Sequence, residues 1–233
     1  MADTTCYSAI KATHIRLVRL DSCGAPVAGP SSVVVSKGFV SVTATAEIEE
    51  GEEFLVKNAS GDPCINEKDC DFLKRFNVVI NFCKVDPTLL ELTTSNRALT
   101  DAGGDVIGTA IGSSIQCEDG WSLELWQKVA GQDSCAAGAV AQYSYWAFPW
   151  LTSGILGDLT FENGPFSFDV NARSKGVGSG TWDATPTVGA ESRGPFSVLP
   201  VGAGLLQGEQ LAQILSPVAP PAETCGTTVY PVV

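Results

Sequence analysis

The most regular feature of the sequence is an alternation of apolar and polar residues with a period of two. It is clearest in residues 39–48 and 74–85. The apolar face of the first segment consists of Val40, Val42, Ala44, Ala46 and Ile48. That of the second consists of Phe76, Val78, Ile80 and Phe82. This period is typical of strands with one buried face, so both segments are predicted to be strands.

Further strand candidates occupy most of the remaining chain. Residues 121–129 and 165–171 alternate clearly, with Trp121, Leu123, Leu125, Val129, Phe166, Phe168 and Val170 on the apolar faces. Weaker candidates are residues 14–20, 32–36, 53–57, 105–111, 139–148, 157–162 and 195–199. Gly, Pro, Asn and Asp lie between them, as turns between short strands require. With no break in composition, the sequence predicts one mainly β domain over residues 1–233.

Helix signals are few. Asp86 followed by a proline is typical of an N-cap and a first helical position, so a short helix is predicted there. Residues 205–215 suggest another turn or two of helix. The Pro-rich residues 216–223 are predicted to be extended because proline fixes φ, and residues 201–233 therefore form an extended C-terminal segment.

Composition and charge narrow the function. Only 17% of the 233 residues are charged, which leaves a large neutral surface that other copies of the chain are able to cover. The net charge of −12 argues against binding to nucleic acid, since phosphate contacts need clustered Lys and Arg. Neither a signal peptide nor an apolar run of about 18 residues is found, so no export and no membrane insertion are predicted.

The cysteine and histidine residues indicate neither a zinc site nor a catalytic site. The eight cysteines form no CxxC pair, and the free thiols of a reducing compartment are the preferred interpretation. Cys64 and Cys70 are the pair predicted to bridge if oxidation occurs. The single histidine, His14, is predicted to be an ordinary strand-end residue, since no catalytic arrangement surrounds it. No enzymatic activity and no cofactor are therefore predicted.

Three groups of residues suggest binding, and each has a simpler interpretation. Acidic residues crowd around Gly51, where a hairpin turn with solvated carboxylates is favoured over a hydrolytic pair. Asp62, Glu67, Asp69 and Asp71 suggest calcium, but their spacing is not that of an EF-hand. The aromatic residues of 143–150 suggest a carbohydrate platform, although alternating aromatics in a strand more often pack in a core or interface. No metal site is therefore predicted.

Several ordered segments resemble a known family. Residues 71–92, a strand leading into an Asp-Pro helix start, resemble a segment of the major tail proteins of long-tailed phages that infect actinobacteria. Residues 120–126, 145–150 and 157–164 resemble the strands that follow it in that family. The resemblance covers about residues 10–200 and contains no catalytic motif.

The resemblance implies a fold and a function. The implied fold is a tail-tube β-barrel or sandwich with one flanking helix and extended loops. By this resemblance, six copies are expected to form a ring, and the rings to stack into the tube through which DNA passes during ejection. The implied partners are other copies of the chain, the tape measure protein, and the tail terminator and tail tip proteins, with no membrane. The implied location is the virion tail, after assembly in the host cytoplasm.

Two sets of charged residues are predicted to act in such a tube. Residues 58–73 are predicted to be a long polar loop that reaches an adjacent ring through Asp62, Glu67, Lys68, Asp69 and Asp71. The acidic turn is predicted to face the lumen through Glu49, Glu50 and Glu52, beside the polar face of Thr43 and Thr45. The alternatives are another virion structural protein, such as a decoration protein or tail terminator, and a carbohydrate-binding β-sandwich.

Overall fold

The chain is mainly β, as predicted. The computed structural model describes residues 6–94, 96–113, 115, 117, 119–130, 141–159, 163, 164, 166–176 and 205–230. Its strands are β1 (Ala9–Leu20), β2 (Gly29–Ser36), β3 (Phe39–Glu49), β4 (Glu53–Lys57), β5 (Pro63–Lys68), β6 (Phe72–Phe82), β7 (Arg97–Thr100), β8 (Val106–Ala110), β9 (Gly120–Val129), β10 (Tyr143–Leu159), β11 (Phe168–Ser174), β12 (Ala212–Ser216) and β13 (Thr228–Tyr230). The helix α1 (Pro87–Thr93) follows β6.

Nine of the described strands form one antiparallel sheet. Its order is β13-β2-β1-β9-β10-β11-β6-β3, and β12 pairs with the first half of β10. The strand β10 changes its pairing partner along its length. The change occurs near Ser153, where φ is 55° and the register with β11 shifts. The first half of β10 pairs with β9 and its second half with β11. The segments predicted at 139–148 and 157–162 are therefore parts of one long strand, whereas residues 195–199 lie outside the described residues.

The main core joins distant parts of this sheet. Val34 of β2 and Ile80 of β6, which lie near opposite ends of the strand order, belong to the same buried cluster. Leu89 and Leu92 of α1 complete that cluster. The sheet therefore curves around one core, with the helix packed against it. No helix among the described residues is long and apolar enough to span a membrane.

The predictions of a strand with a buried face in residues 74–85 and of a short helix capped by Asp86 are both confirmed, by β6 and α1. Val78, Ile80 and Phe82 are buried, and Phe76 packs against them while partly exposed. The Asp86 carboxylate accepts hydrogen bonds from the Thr88 N–H at 3.0 Å and the Leu89 N–H at 3.3 Å, as an N-cap does.

The helix predicted in residues 205–215 is wrong. Residues 212–216 form β12 instead, which hydrogen-bonds to β10. Ala212 and Ile214 pack against a second buried cluster that contains Trp126 and Tyr145. Burial on this non-local surface outweighs a weak local helix preference.

A buried ion pair lies against the second cluster, with the Arg16 guanidinium 5.7 Å from the centre of the Trp126 ring, and the sequence pattern did not reveal it. Arg16 donates to both carboxylate oxygens of Glu124, one of them at 2.7 Å, and both side chains are buried. The Tyr145 hydroxyl donates to the same carboxylate. Burial, and then the charge of Glu124, raise the pKa of Tyr145 well above its ordinary value. The pair is satisfied by hydrogen bonds, as buried charges must be.

Candidate interaction surfaces

The most prominent surface is a hairpin that projects from the sheet, which we call the arm (residues 50–71). It consists of β4 and β5, which pair only with each other among the described strands. Every residue of both strands is exposed. The prediction of a loop over residues 58–73 is therefore wrong: only residues 58–62 form the turn, and the chain returns as a strand because it pairs with β4.

The base of the arm has a fixed geometry. The Gly51 N–H donates to the Asp71 carboxylate at 2.9 Å, and the Asp69 N–H donates to the Glu52 carbonyl at 2.9 Å. A Cβ atom at Gly51 would lie only 2.0 Å from the Asp69 carbonyl oxygen, so only glycine fits there. The hydrogen bond from Gly51, and then Lys68, lower the pKa of Asp71.

One face of the arm is apolar and uncovered. Val56 and Ile65 are cross-strand partners, and Phe54 lies two residues along β4 on the same face. Their exposed fractions are 51%, 48% and 45%. Ile48 and Leu73 are partners at the foot of the arm and are also exposed. Clustered apolar side chains on a projecting element indicate an interaction surface, because a monomer gains nothing by exposing them.

The structure brings both predicted sets of charged residues to this one element. Glu49 ends β3; Glu50, Glu52, Asp69 and Asp71 lie at the base of the arm; Asp62 is in its turn; Glu67 and Lys68 are in β5. Residues 50–71 contain seven acids and two lysines, a net charge of −5. The sets expected on two different surfaces therefore lie on one acidic hairpin, except for Glu49, which lies at its foot.

A second surface is the outward face of the sheet formed by β3, β6 and β11. Thr43 pairs with Val79, which pairs with Asn171. The same face contains further polar side chains, two of them charged: Ser41, Thr45, Asn77, Asn81, Asp169 and Arg173. The Asn81 amide donates to the Asp169 carboxylate at 2.7 Å. Hydrogen-bonding groups without a dense cluster of cations characterise this face.

Glu47 joins this polar face to the foot of the arm. Arg75 binds its carboxylate through two N–H groups at 2.7 and 2.8 Å, and Asn77 donates to it at 3.1 Å. The hydrogen bond from Arg75 is the largest cause that lowers the pKa of Glu47 to about 2. Glu49 accepts a hydrogen bond from Lys74 at 2.6 Å.

The strand β3 is also a free edge. Among the described strands it pairs with β6 alone, so its other edge presents unpaired backbone groups. Val40 on this strand is 63% exposed, and Ala44 and Ala46 are exposed as well. Exposed edges of this kind favour pairing with another chain.

The cysteine and histidine side chains that the structure describes form no disulfide and no metal site. The seven described cysteines are free and exposed. Cys64 lies within β5 and Cys70 follows the end of that strand, and both thiols are free, so pairing of these two on oxidation stays a prediction. His14 lies in β1 opposite Trp126, and burial, followed by the charge of Lys37, lowers its pKa.

The described residues bring together no group of three His, Cys, Asp or Glu side chains placed to hold a metal ion, and this includes the acids of the arm.

The sequence matches no known family model and no curated protein.

Proposed function

We propose that this chain is a structural protein that assembles with copies of itself into stacked rings, and that these form the tail tube of a long-tailed phage. The observation that carries the proposal is the arm, an ordered hairpin whose three apolar side chains, Phe54, Val56 and Ile65, face solvent in the isolated chain. At about 25 cal/mol per Å² of buried apolar area, covering such a face favours association.

The free edge of β3 supports contacts within a ring. A strand with one unpaired edge extends a sheet when a neighbouring copy presents a second free edge. The other outer strands of the described sheet, β13 and β12, provide such edges. Repeating one head-to-tail contact around an axis closes a ring, and the resemblance to tail proteins suggests six copies.

The polar face of β3, β6 and β11 is proposed to line the channel. DNA passes a wall of hydroxyl and amide groups without the salt-dependent binding that a dense row of cations would cause. Thr43, Thr45 and Asn77 provide such groups, and the charges Glu47 and Arg75 neutralise each other by pairing. Glu49 continues this face, whereas Glu50 and Glu52 belong to the arm.

Electron microscopy of the purified protein tests the proposal. Concentrated wild-type protein is expected to form rings and hollow tubes in negative stain, with an increasing sedimentable fraction as concentration rises. A tail terminator would give rings that do not stack, and a decoration protein would give small oligomers without tubes. A protein that stays monomeric at every concentration would contradict the proposal.

A further inference from the structure

The end of the molecule opposite the arm carries a cluster of lysines. Lys37 lies between β2 and β3, and Lys84 follows β6, with the Lys84 N–H donating to the Gly38 carbonyl at 3.3 Å. Lys11 of β1 and Lys128 of β9 are direct cross-strand partners. We call Lys11, Lys37, Lys84 and Lys128 the lysine cluster; all four side chains are exposed.

Several observations show that these lysines share one surface. Lys84 contacts Glu223 at 3.2 Å, and the Lys37 N–H hydrogen-bonds to the same carboxylate. Lys37 and Lys128 both lower the pKa of His14, after the larger effect of burial. Among the described residues, the acids whose charges act on Lys84 are Glu223 and Asp86, and the four lysines outnumber them. Lys11, Lys37 and Lys128 form no ion pair with a described residue.

The two charged surfaces lie at opposite ends of one ladder. The β3–β6 pair begins at Phe39 and Phe82 beside Lys37 and Lys84, and ends at Glu49 and Phe72 beside the arm. At a rise of about 3.3 Å per residue, the length of β3 from Phe39 to Glu49 places these two ends about 33 Å apart. Like charges placed opposite one another, as Lys11 and Lys128 are, destabilise an isolated sheet, so the cluster costs the monomer stability.

We infer that the acidic arm of one copy docks on the lysine cluster of the next copy along the tube axis. The inference rests on the proposed self-assembly and adds the identity of the axial contact. A contact between opposite ends of the same molecule is heterologous and extends without closing, as a stack of rings requires. Each exposed ion pair contributes little, but the contact is repeated by every subunit of a ring.

Charge reversal in two separate proteins tests this contact. One variant carries Glu50→Lys, Glu52→Lys and Glu67→Lys in the arm; the other carries Lys11→Glu, Lys37→Glu and Lys128→Glu in the cluster. Lys84 is left unchanged because it binds Glu223. Each variant alone is expected to lose sedimentable tubes, while an equimolar mixture regains them, because the positive arm then meets a negative cluster. The variant Arg97→Glu, exposed on β7, is the control and is expected to stack normally.

The outcomes separate the two proposals. If wild-type protein forms tubes but the cluster variant stacks equally well, or if two variants with wild-type circular dichroism fail to assemble when mixed, the axial contact is wrong and self-assembly stands. If wild-type protein forms no assembly at all, the proposed function fails, and the contact with it. Wild-type tubes are further expected to shorten in 1 M salt, where charges are screened beyond about 3 Å.

Discussion

Single side chains in β6 carry much of the stability of the main core. Ile80 is fully buried and lies between Val42 of β3 and Val170 of β11. Ile80→Ala is expected to lower the free energy of unfolding by about 2–5 kcal/mol, because it removes buried methyl groups and leaves a cavity. Urea unfolding of the monomer measures the loss. Val40→Ala, at an exposed position, is the control and should change stability by less than about 0.5 kcal/mol.

Asp86 makes two kinds of contact, and two substitutions separate them. One carboxylate oxygen caps α1, and the other accepts a hydrogen bond from the Gly226 N–H at 3.1 Å. Asp86→Ala removes both and is expected to cost about 1–2 kcal/mol, whereas Asp86→Asn keeps a capping oxygen and should cost less. Thermal unfolding compares them. Equal stability of the alanine and asparagine variants would show that the cap contributes nothing.

The ion pair between Glu47 and Arg75 makes stability depend on pH in a defined window. The folded-state pKa of Glu47 is about 2, below its ordinary value of 4.5, with the hydrogen bond from Arg75 as the main cause. A depressed pKa means that the pair stabilises the fold above pH 4.5, and that this contribution is lost as the pH falls towards 2. Glu47→Gln is therefore expected to be less stable than wild type at pH 7, with a difference that shrinks between pH 4.5 and 2. A difference that stays constant over this window, measured by urea unfolding, would contradict the assignment.

Among whole elements, we expect the arm to be dispensable for folding of the monomer, because β4 and β5 pair only with each other. Its strands contribute nothing to the buried clusters, and Glu52 and Asp69 are already hydrogen-bonded neighbours. Replacing residues 53–68 by Asn-Gly, a sequence that favours a tight hairpin turn, is therefore expected to leave a folded protein. Deleting only residues 60–69 would be a poorer test, because it removes β5 and leaves the backbone N–H and C=O groups of β4 without their partners.

The armless variant is expected to fold with an unchanged near-ultraviolet circular dichroism spectrum but to form no long tubes. Its control is Asn58→Ala in the full-length arm, which removes only the side-chain hydrogen bonds of Asn58 in the turn, at 2.8, 2.9 and 3.3 Å. That control should retain stacking. Normal tubes from the armless protein would exclude the arm from the axial contact, whatever the behaviour of the charge-reversal variants.

Elements with strong local signals were predictable, and those that depend on distant partners were not. The period-two pattern located β3 and β6, and an Asp-Pro pair located α1, because these signals act within a few residues. The strand β5 was interpreted as a loop because its residues are polar and exposed, and it exists through pairing with β4. The strand β12 likewise depends on β10.

The candidate site shows the same limit. The acidic residues of the arm were identified from composition alone, since charges crowd there in sequence. The lysine cluster was not, because Lys11, Lys37 and Lys128 come from three separate segments that only the folded sheet brings together. Cross-strand register determines such clusters, and register is set by the whole sheet rather than by local spacing.

At the scale of the whole molecule, the polar face of β3, β6 and β11 is expected to lie on the inside of the tube. Thr43→Lys, Thr45→Lys and Asn77→Lys together would place three cations on that face without changing the buried side of either strand. If the face lines the channel, particles built from this variant should eject DNA more slowly, and the delay should weaken as salt rises, because lysine–phosphate contacts release counterions. Thr100→Lys with Ala102→Lys, at exposed positions near the β7–β8 turn, adds charge elsewhere and should leave ejection unchanged. Unaltered ejection from tubes that carry all three lysines on the sheet face would assign that face to the outside of the tube.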